Sequence, residues 1–129
     1  MDTGALTIGY VMFDCHDPDC VATFWQALLG LEFEARRGPY VFLRGTGDLA
    51  IGFQRVETSK TAKNRVHLDL IAGDIASASD QVCALGGSKV EGYADGGFVV
   101  MADPEGNEFC LIPRAGANVD ADGRAHYEV

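Results

Sequence analysis

His67 and Asp69 stand two residues apart in Asn64-Arg-Val-His-Leu-Asp-Leu70, and Glu108 and Cys110 stand two apart in Glu108-Phe-Cys-Leu111. In an extended chain, positions i and i+2 point to the same side, so each pair presents its two reactive groups together. Imidazole titrates near neutral pH and acts as a general base when a carboxylate orients it. His67 is therefore a candidate base, with Asp69 or Glu108 as its catalytic partner. The competing reading is structural: a strand histidine satisfied by Asp69, two solvated carboxylates, and Cys110 packed as a small hydrophobe. In the N-terminal half, Tyr10 and Met12 form another i, i+2 pair, Gln54 shares an outward face with Gly52, and Arg44 ends a short apolar run. These offer a hydroxyl, a thioether, an amide and a guanidinium to a bound molecule. Arg36, Arg37 and Arg44 together are either a rim for an anionic substrate or ordinary solvated arginines.

The elements that hold these residues are written twice. Tyr10-Val-Met-Phe-Asp-Cys-His-Asp17 runs beside His67-Leu-Asp-Leu-Ile-Ala-Gly-Asp74 at an offset of 57, and Leu28-Leu-Gly30 falls beside Leu85-Gly-Gly87. A period near half the chain means two copies of one supersecondary unit. In the first copy, residues 6–15 read as a strand, and Asp17-Pro18 supplies a helix N-cap with proline at the first helical position. Val21, Phe24, Trp25 and Leu28 share one helical face, and Gly30 suits a left-handed end. Strands are expected at 31–35, 40–44 and 49–56, between Gly-Pro and Gly-Thr-Gly turns. The second copy repeats the order with a strand at 65–72, a helix from Asp74 to Gly86-Gly87, and strands near 89–93, 98–102 and 107–112. Its helix carries the stripe Ile75, Ala78, Val82 and Leu85, and its first strand alternates Val66, Leu68 and Leu70 inward. Phe53 and Phe109 match at an offset of 56, so one residue is gained or lost within the copies. Asp103-Pro-Glu-Gly-Asn107 reads as a turn, since Pro104 presets φ and Gly106 tolerates positive φ.

The class is thus α+β: two tandem βαβββ modules over residues 5–56 and 65–113, in a single domain spanning 1–113. A polar linker at 57–64 joins them, and 114–129 form a C-terminal extension that is either mobile or folded over a partner. At 129 residues, 47% hydrophobic and 22% charged, the chain is of ordinary globular composition and can bury a real core. A net charge of -9 opposes phosphate neutralisation, which argues against nucleic acid as a partner. No apolar run reaches the roughly 20 residues of a membrane span and no signal peptide is visible, so the expected location is cytoplasmic. Cys15, Cys20, Cys83 and Cys110 form no C-x-x-C pair and are expected to be reduced.

The paired βαβββ plan, Asn64-Arg-Val-His-Leu-Asp-Leu70 and Asp103-Pro-Glu-Gly-Asn107 together resemble the vicinal-oxygen-chelate superfamily of glyoxalase I, bleomycin-resistance proteins and extradiol dioxygenases, in its small glyoxalase-like branch. The resemblance implies a cupped mixed sheet with helices on its convex side, a small-molecule pocket and pairing as a homodimer. Family enzymes hold a divalent metal with His and Glu side chains from four strand positions, which fall here on Tyr10, Gln54, His67 and Cys110. Only His67 is of the usual ligand type. Cys110 stands where glyoxalase I has a glutamate and Tyr10 where it has a histidine, so a standard glyoxalase I mechanism is not expected. His67, Cys110 and Gln54 with a water offer an altered four-coordinate zinc site; the other expectation is no cofactor. The implied function is a small-molecule pocket protein acting as a lyase, isomerase or dioxygenase-type enzyme. Its rivals are a protein that sequesters an antibiotic-type compound without turnover and a regulatory module with a vestigial pocket.

Overall fold

The computed structural model describes residues 6–91, 96–114 and 117–127. Its chain divides into two compact units, Met1–Ser59 and Lys60–Val129. In the first, α1 (Pro18–Leu29) forms where the capping residues demand it. The Asp17 carboxylate accepts the Cys20 N–H at 3.2 Å, Pro18 opens the first turn, and Gly30 closes the helix at φ 67°, a conformation open to a residue without Cβ. Val21, Phe24 and Trp25 are buried as the 3.6-residue period requires. Four strands, β1 (Val11–Cys15), β2 (Glu32–Arg37), β3 (Tyr40–Arg44) and β4 (Ala50–Arg55), assemble in the order β1-β4-β3-β2. The β1/β4 pairing is parallel and the others are antiparallel. Alternation sends Val41, Leu43, Ile51 and Phe53 into the core and leaves Tyr40, Phe42, Gly52 and Gln54 on the opposite, open face. Helix α1 packs on β3 and β4, and Phe13 of β1 meets the Trp25 ring edge-on at 5.2 Å.

The second unit repeats this plan with β5 (Asp69–Ile71), α2 (Ile75–Ala84), β6 (Ser88–Lys89), β7 (Val99–Ala102) and β8 (Glu108–Ile112), in the order β5-β8-β7-β6. Asp74 caps α2 by accepting the Ser77 N–H at 3.1 Å, so both helices begin with the same device 57 residues apart. Helix α2 buries only Val82 fully. Asp103, 2% exposed, accepts the backbone N–H groups of Glu105 and Asn107 and the Asn107 side-chain amide at 2.9–3.0 Å. Together with Gly106 at φ 87°, these bonds make the 103–107 segment a closed turn, as expected. A hairpin of β9 (Ala117–Val119) and β10 (Ala125–Tyr127) follows, giving the C-terminal extension a strand pair of its own. No disulfide joins the four cysteines.

Three expectations need correction. The strand at 65–72 is reduced to Asp69–Ile71, and Val66 is 77% exposed instead of packed inward. Upstream of Glu108 the chain turns through 103–107, so residues 65 and 66 have no neighbouring strand to pair with. The first strand likewise starts at Val11, leaving residues 6–10 outside the sheet. Residues 92 and 93 of the strand expected at 89–93 lie outside the described residues, and β6 itself is only Ser88–Lys89. The third correction concerns register. Met12 pairs with Gly52, and Asp69 pairs with Cys110. Asp69 follows Met12 by 57 residues and Cys110 follows Gly52 by 58, so the counterpart of Cys110 is Gly52, and that of Gln54 is Ile112. The Phe53/Phe109 match is therefore a slip of two. Because side chains alternate with period 2, a slip of two leaves every residue on its proper face and is invisible in the pattern.

Candidate functional site

Parallel pairing of β5 with β8 brings three reactive side chains of the second unit together. His67 precedes β5, but the Cys110 N–H donates to Leu68 O at 2.9 Å, so the ladder reaches back far enough to hold the histidine beside the sheet. His67 Nε2 lies 3.1 Å from Asp69 Oδ1, and Asp69 faces Cys110 directly across the rung. One ligand atom from each of His67, Asp69 and Cys110 lies within 4.8 Å of the other two. His67 and Asp69 side chains are 39% and 45% exposed, whereas Cys110 is buried. Burial pushes the Cys110 thiol up to about 11, the Asp69 charge and a hydrogen bond to it push the same way, and Lys63 opposes them. A thiol held protonated at neutral pH is a donor to Asp69 and not a nucleophile.

This donor set can be tested against a metal. Bonds of about 2.0–2.3 Å in a tetrahedral zinc site place ligand atoms roughly 3.3–3.8 Å apart, so small side-chain adjustments would bring these three atoms into range. Imidazole, carboxylate and thiolate suit zinc; a hard octahedral ion prefers all-oxygen or oxygen-rich shells. The expected third ligand, Gln54, belongs to the first unit. There it occupies the rung opposite Asp14 and Tyr40, while the rung corresponding to Cys110 carries Gly52, with no side chain to offer. Asp69, expected as a catalytic partner of His67, is also the third potential ligand.

Glu108 has a different setting. Its carboxylate accepts the Asn64 backbone N–H at 3.0 Å and pairs with Lys60 Nζ at 2.9 Å, while the Asn64 side-chain amide donates to the Glu108 carbonyl at 3.3 Å. Burial works against the charge, but the Asn64 N–H and the Lys60 ammonium outweigh it and hold the carboxyl below its ordinary range. These contacts clip the chain that leads into His67 onto β8. They are the contacts of a positioning group.

In the first unit, the open face of the sheet carries the ligand-contact candidates. Tyr10 and Phe42 stand 4.8 Å apart, and Phe42 stacks on Tyr40 at 5.9 Å, forming an aromatic row. A Cβ on Gly52 would fall 2.4 Å from Met12 Sδ, so the absent side chain is what lets the thioether lie across β4. At one end, Tyr10 OH donates to Glu34 Oε2 at 2.8 Å and Arg44 donates to Glu34 Oε1 at 2.7 and 3.0 Å. The three arginines do not act together: Arg36 turns to the helix side and bonds Asp19 of α1, and Arg44 is engaged by Glu34.

The sequence profile of the glyoxalase-like domain matches residues 10–112. The chain belongs to the glyoxalase-like family. The structures it resembles share the fold. A glyoxalase/bleomycin resistance protein/dioxygenase family enzyme from Burkholderia phytofirmans PsJN superposes with a TM-score of 0.66 at 21% identity, covering 80% of this chain and 94% of that one. A mutant of the fosfomycin resistance protein FosX from Listeria monocytogenes, complexed with Mn(II) and 1S,2S-dihydroxypropylphosphonic acid, gives 0.67 at 15%, covering 82% and 88%. Oxidase ChaP-H2 gives 0.60 at 15%, covering 84% and 94%. No curated protein matches the chain.

For this glyoxalase-like chain, sequence reasoning found His67, Asp69 and Cys110 one by one and missed that they form a single group. The available signal was the i, i+2 spacing of both pairs; what it lacked was the β5/β8 register. The Glu34 contribution also went unnoticed: alternation groups Glu34 with Glu32, but that Glu32 pairs with Arg44, and that the Glu34 carboxylate therefore meets Arg44 and Tyr10, depends on the β2/β3 register. Among the described residues, no helix is long and apolar enough to cross a membrane.

Proposed function

We propose that this is a small-molecule enzyme of the glyoxalase-like family with an altered, zinc-type centre at His67, Asp69 and Cys110. The observation that carries this reading is the convergence of three ligand atoms within 4.8 Å. Zinc there would supply a Lewis-acid position with an open coordination site. Of the chain's own groups, His67 and Asp69 stand 3.1 Å apart as imidazole and carboxylate donors, Cys110 supplies the buried donor, and the Glu108 clip to Lys60 and Asn64 sets the approach of the His67 segment. With no metal bound, the same His67/Asp69 pair is arranged to take a proton from a substrate, with Asp69 stabilising the resulting imidazolium. The reaction classes this suits are lyase and isomerase conversions of small oxygenated compounds, which need a Lewis acid or a base and no electron transfer; dioxygenase-type turnover would require a redox-active ion in place of zinc. FosX, which resembles the chain in fold, binds Mn(II); the thiol here favours a softer ion.

A second reading, sequestration of a compound without turnover, draws support from the aromatic row Tyr10, Phe42 and Tyr40 beside Met12, with Gln54 and Arg44 as polar ends. Apolar lining with a few polar anchors is what a ligand pocket requires. In either case we place the protein in the cytoplasm as a homodimer with a small-molecule partner.

Elemental mass spectrometry of untagged protein, wild type against His67→Ala and Cys110→Ala, tests the metal centre. Near-stoichiometric zinc in the wild type, reduced at least tenfold in both variants, is expected. A wild type that stays metal-free after incubation with zinc would sink the centre, and the search would move to acid/base chemistry at His67 and to ligand binding.

A further inference from the structure

Glu34 is the residue of β2 that the ladder skips. Register steps from Phe33 opposite Leu43 to Ala35 opposite Phe42, so one extra residue is accommodated, as in a bulge, and Glu34 stays on the side of Glu32, whose partner is Arg44. Free of a ladder partner, its carboxylate turns to Arg44 and Tyr10 on the open face. One oxygen takes both Arg44 donors, Nε at 3.0 Å and Nη2 at 2.7 Å, and the other takes the Tyr10 hydroxyl at 2.8 Å. Arg44 Nη2 also donates to Tyr10 OH at 3.2 Å, and its guanidinium carbon lies 5.5 Å from the Tyr10 ring centroid. A guanidinium, a phenol and an aromatic edge converging on one carboxylate are the contacts by which a protein holds an external carboxylate ligand.

We propose that Glu34 is a specificity-determining residue of this face, an internal anion that fills the Arg44/Tyr10 seat and so directs the face to uncharged aromatic ligands. The proposal rests on the reading of the open face as a ligand surface. Two further observations support it. Register places Asp14, Glu32 and Arg37 on the same face, so with Glu34 and Arg44 the acids outnumber the bases by three to two and an incoming anion meets a face of net negative charge. A tethered carboxylate also competes at an effective concentration in the millimolar range for a short linkage, so a weak external anion does not displace it. The neutral part of the surface, the Tyr10/Phe42/Tyr40 row and Met12, favours planar apolar rings that stack or meet sulfur.

Benzamide and benzoate, equal in shape and differing in charge, test this by amide NMR titration of wild type, Glu34→Ala and Glu34→Ala/Arg44→Ala. The ion pair is solvent-exposed, and such pairs add little to stability, so Glu34→Ala should remain folded. In the wild type, benzamide should shift the Tyr10, Phe42 and Gln54 signals while benzoate at the same concentration does not. In Glu34→Ala, benzoate affinity should rise at least tenfold, fall again with added salt, and vanish in the double variant. Benzoate bound equally by wild type and Glu34→Ala, or a gain that survives loss of Arg44, would overturn the assignment. If benzamide binds this face and benzoate gains nothing, only the role of Glu34 falls; if benzamide shifts none of these signals, the ligand surface falls and Glu34's role with it.

Discussion

The Cys110 thiol is pushed from 9.0 up to about 11 by burial and by the Asp69 charge, and this has a consequence for stability. In the unfolded chain the thiol ionises near its ordinary value, so the folded state holds the proton longer. The resulting stability is whole below pH 9 and is lost as pH climbs to about 11. Urea midpoints of the metal-free wild type should therefore fall more steeply between pH 9 and 11 than those of Cys110→Ala; parallel slopes would show that the thiol is not held protonated. Residue chemistry was the most legible level in the sequence for His67 and Asp69, whose two-residue spacing puts them on one side of an extended chain. The Asp69/Cys110 adjacency was not legible, because it depends on which rung of β8 meets β5.

At the scale of elements, the short β5 makes the clip from Glu108 to Lys60 and Asn64 matter. Residues 65 and 66 have no ladder partner, so these bonds are what ties the incoming chain to β8. The folded state holds the Glu108 carboxyl below its ordinary 4.5, so this contribution is full above pH 4.5 and is lost as pH falls through the lowered value. Glu108→Gln should weaken the acid limb of the unfolding curve, and in zinc-loaded protein it should lower metal affinity several-fold through the displaced His67 segment while leaving the metal stoichiometry at one. A variant with unchanged zinc affinity would confine Glu108 to local stability. Helix starts were visible in the sequence because Asp17 and Asp74 act within three residues. Strand lengths and the two-residue register slip were not, because a strand extends only as far as its neighbour and alternation is blind to even shifts.

For the whole molecule, net charge and duplication are the governing facts. A charge of -9 opposes the phosphate neutralisation that releases counterions, so duplex DNA should show no retention by the protein even at about 50 mM salt; a salt-sensitive complex would contradict this. Composition, the 57-residue offset and the helix caps by themselves determined an α+β chain of two βαβββ units, because caps, turn glycines and apolar periods are local interactions encoded by neighbours in sequence. Only the tertiary structure decided that Asp69 and Cys110 share a rung, that Gly52 and not Gln54 answers to Cys110, and that Glu34 occupies Arg44. Each of these is a contact between strands, and the registers that create them are set by how far each strand finds a partner.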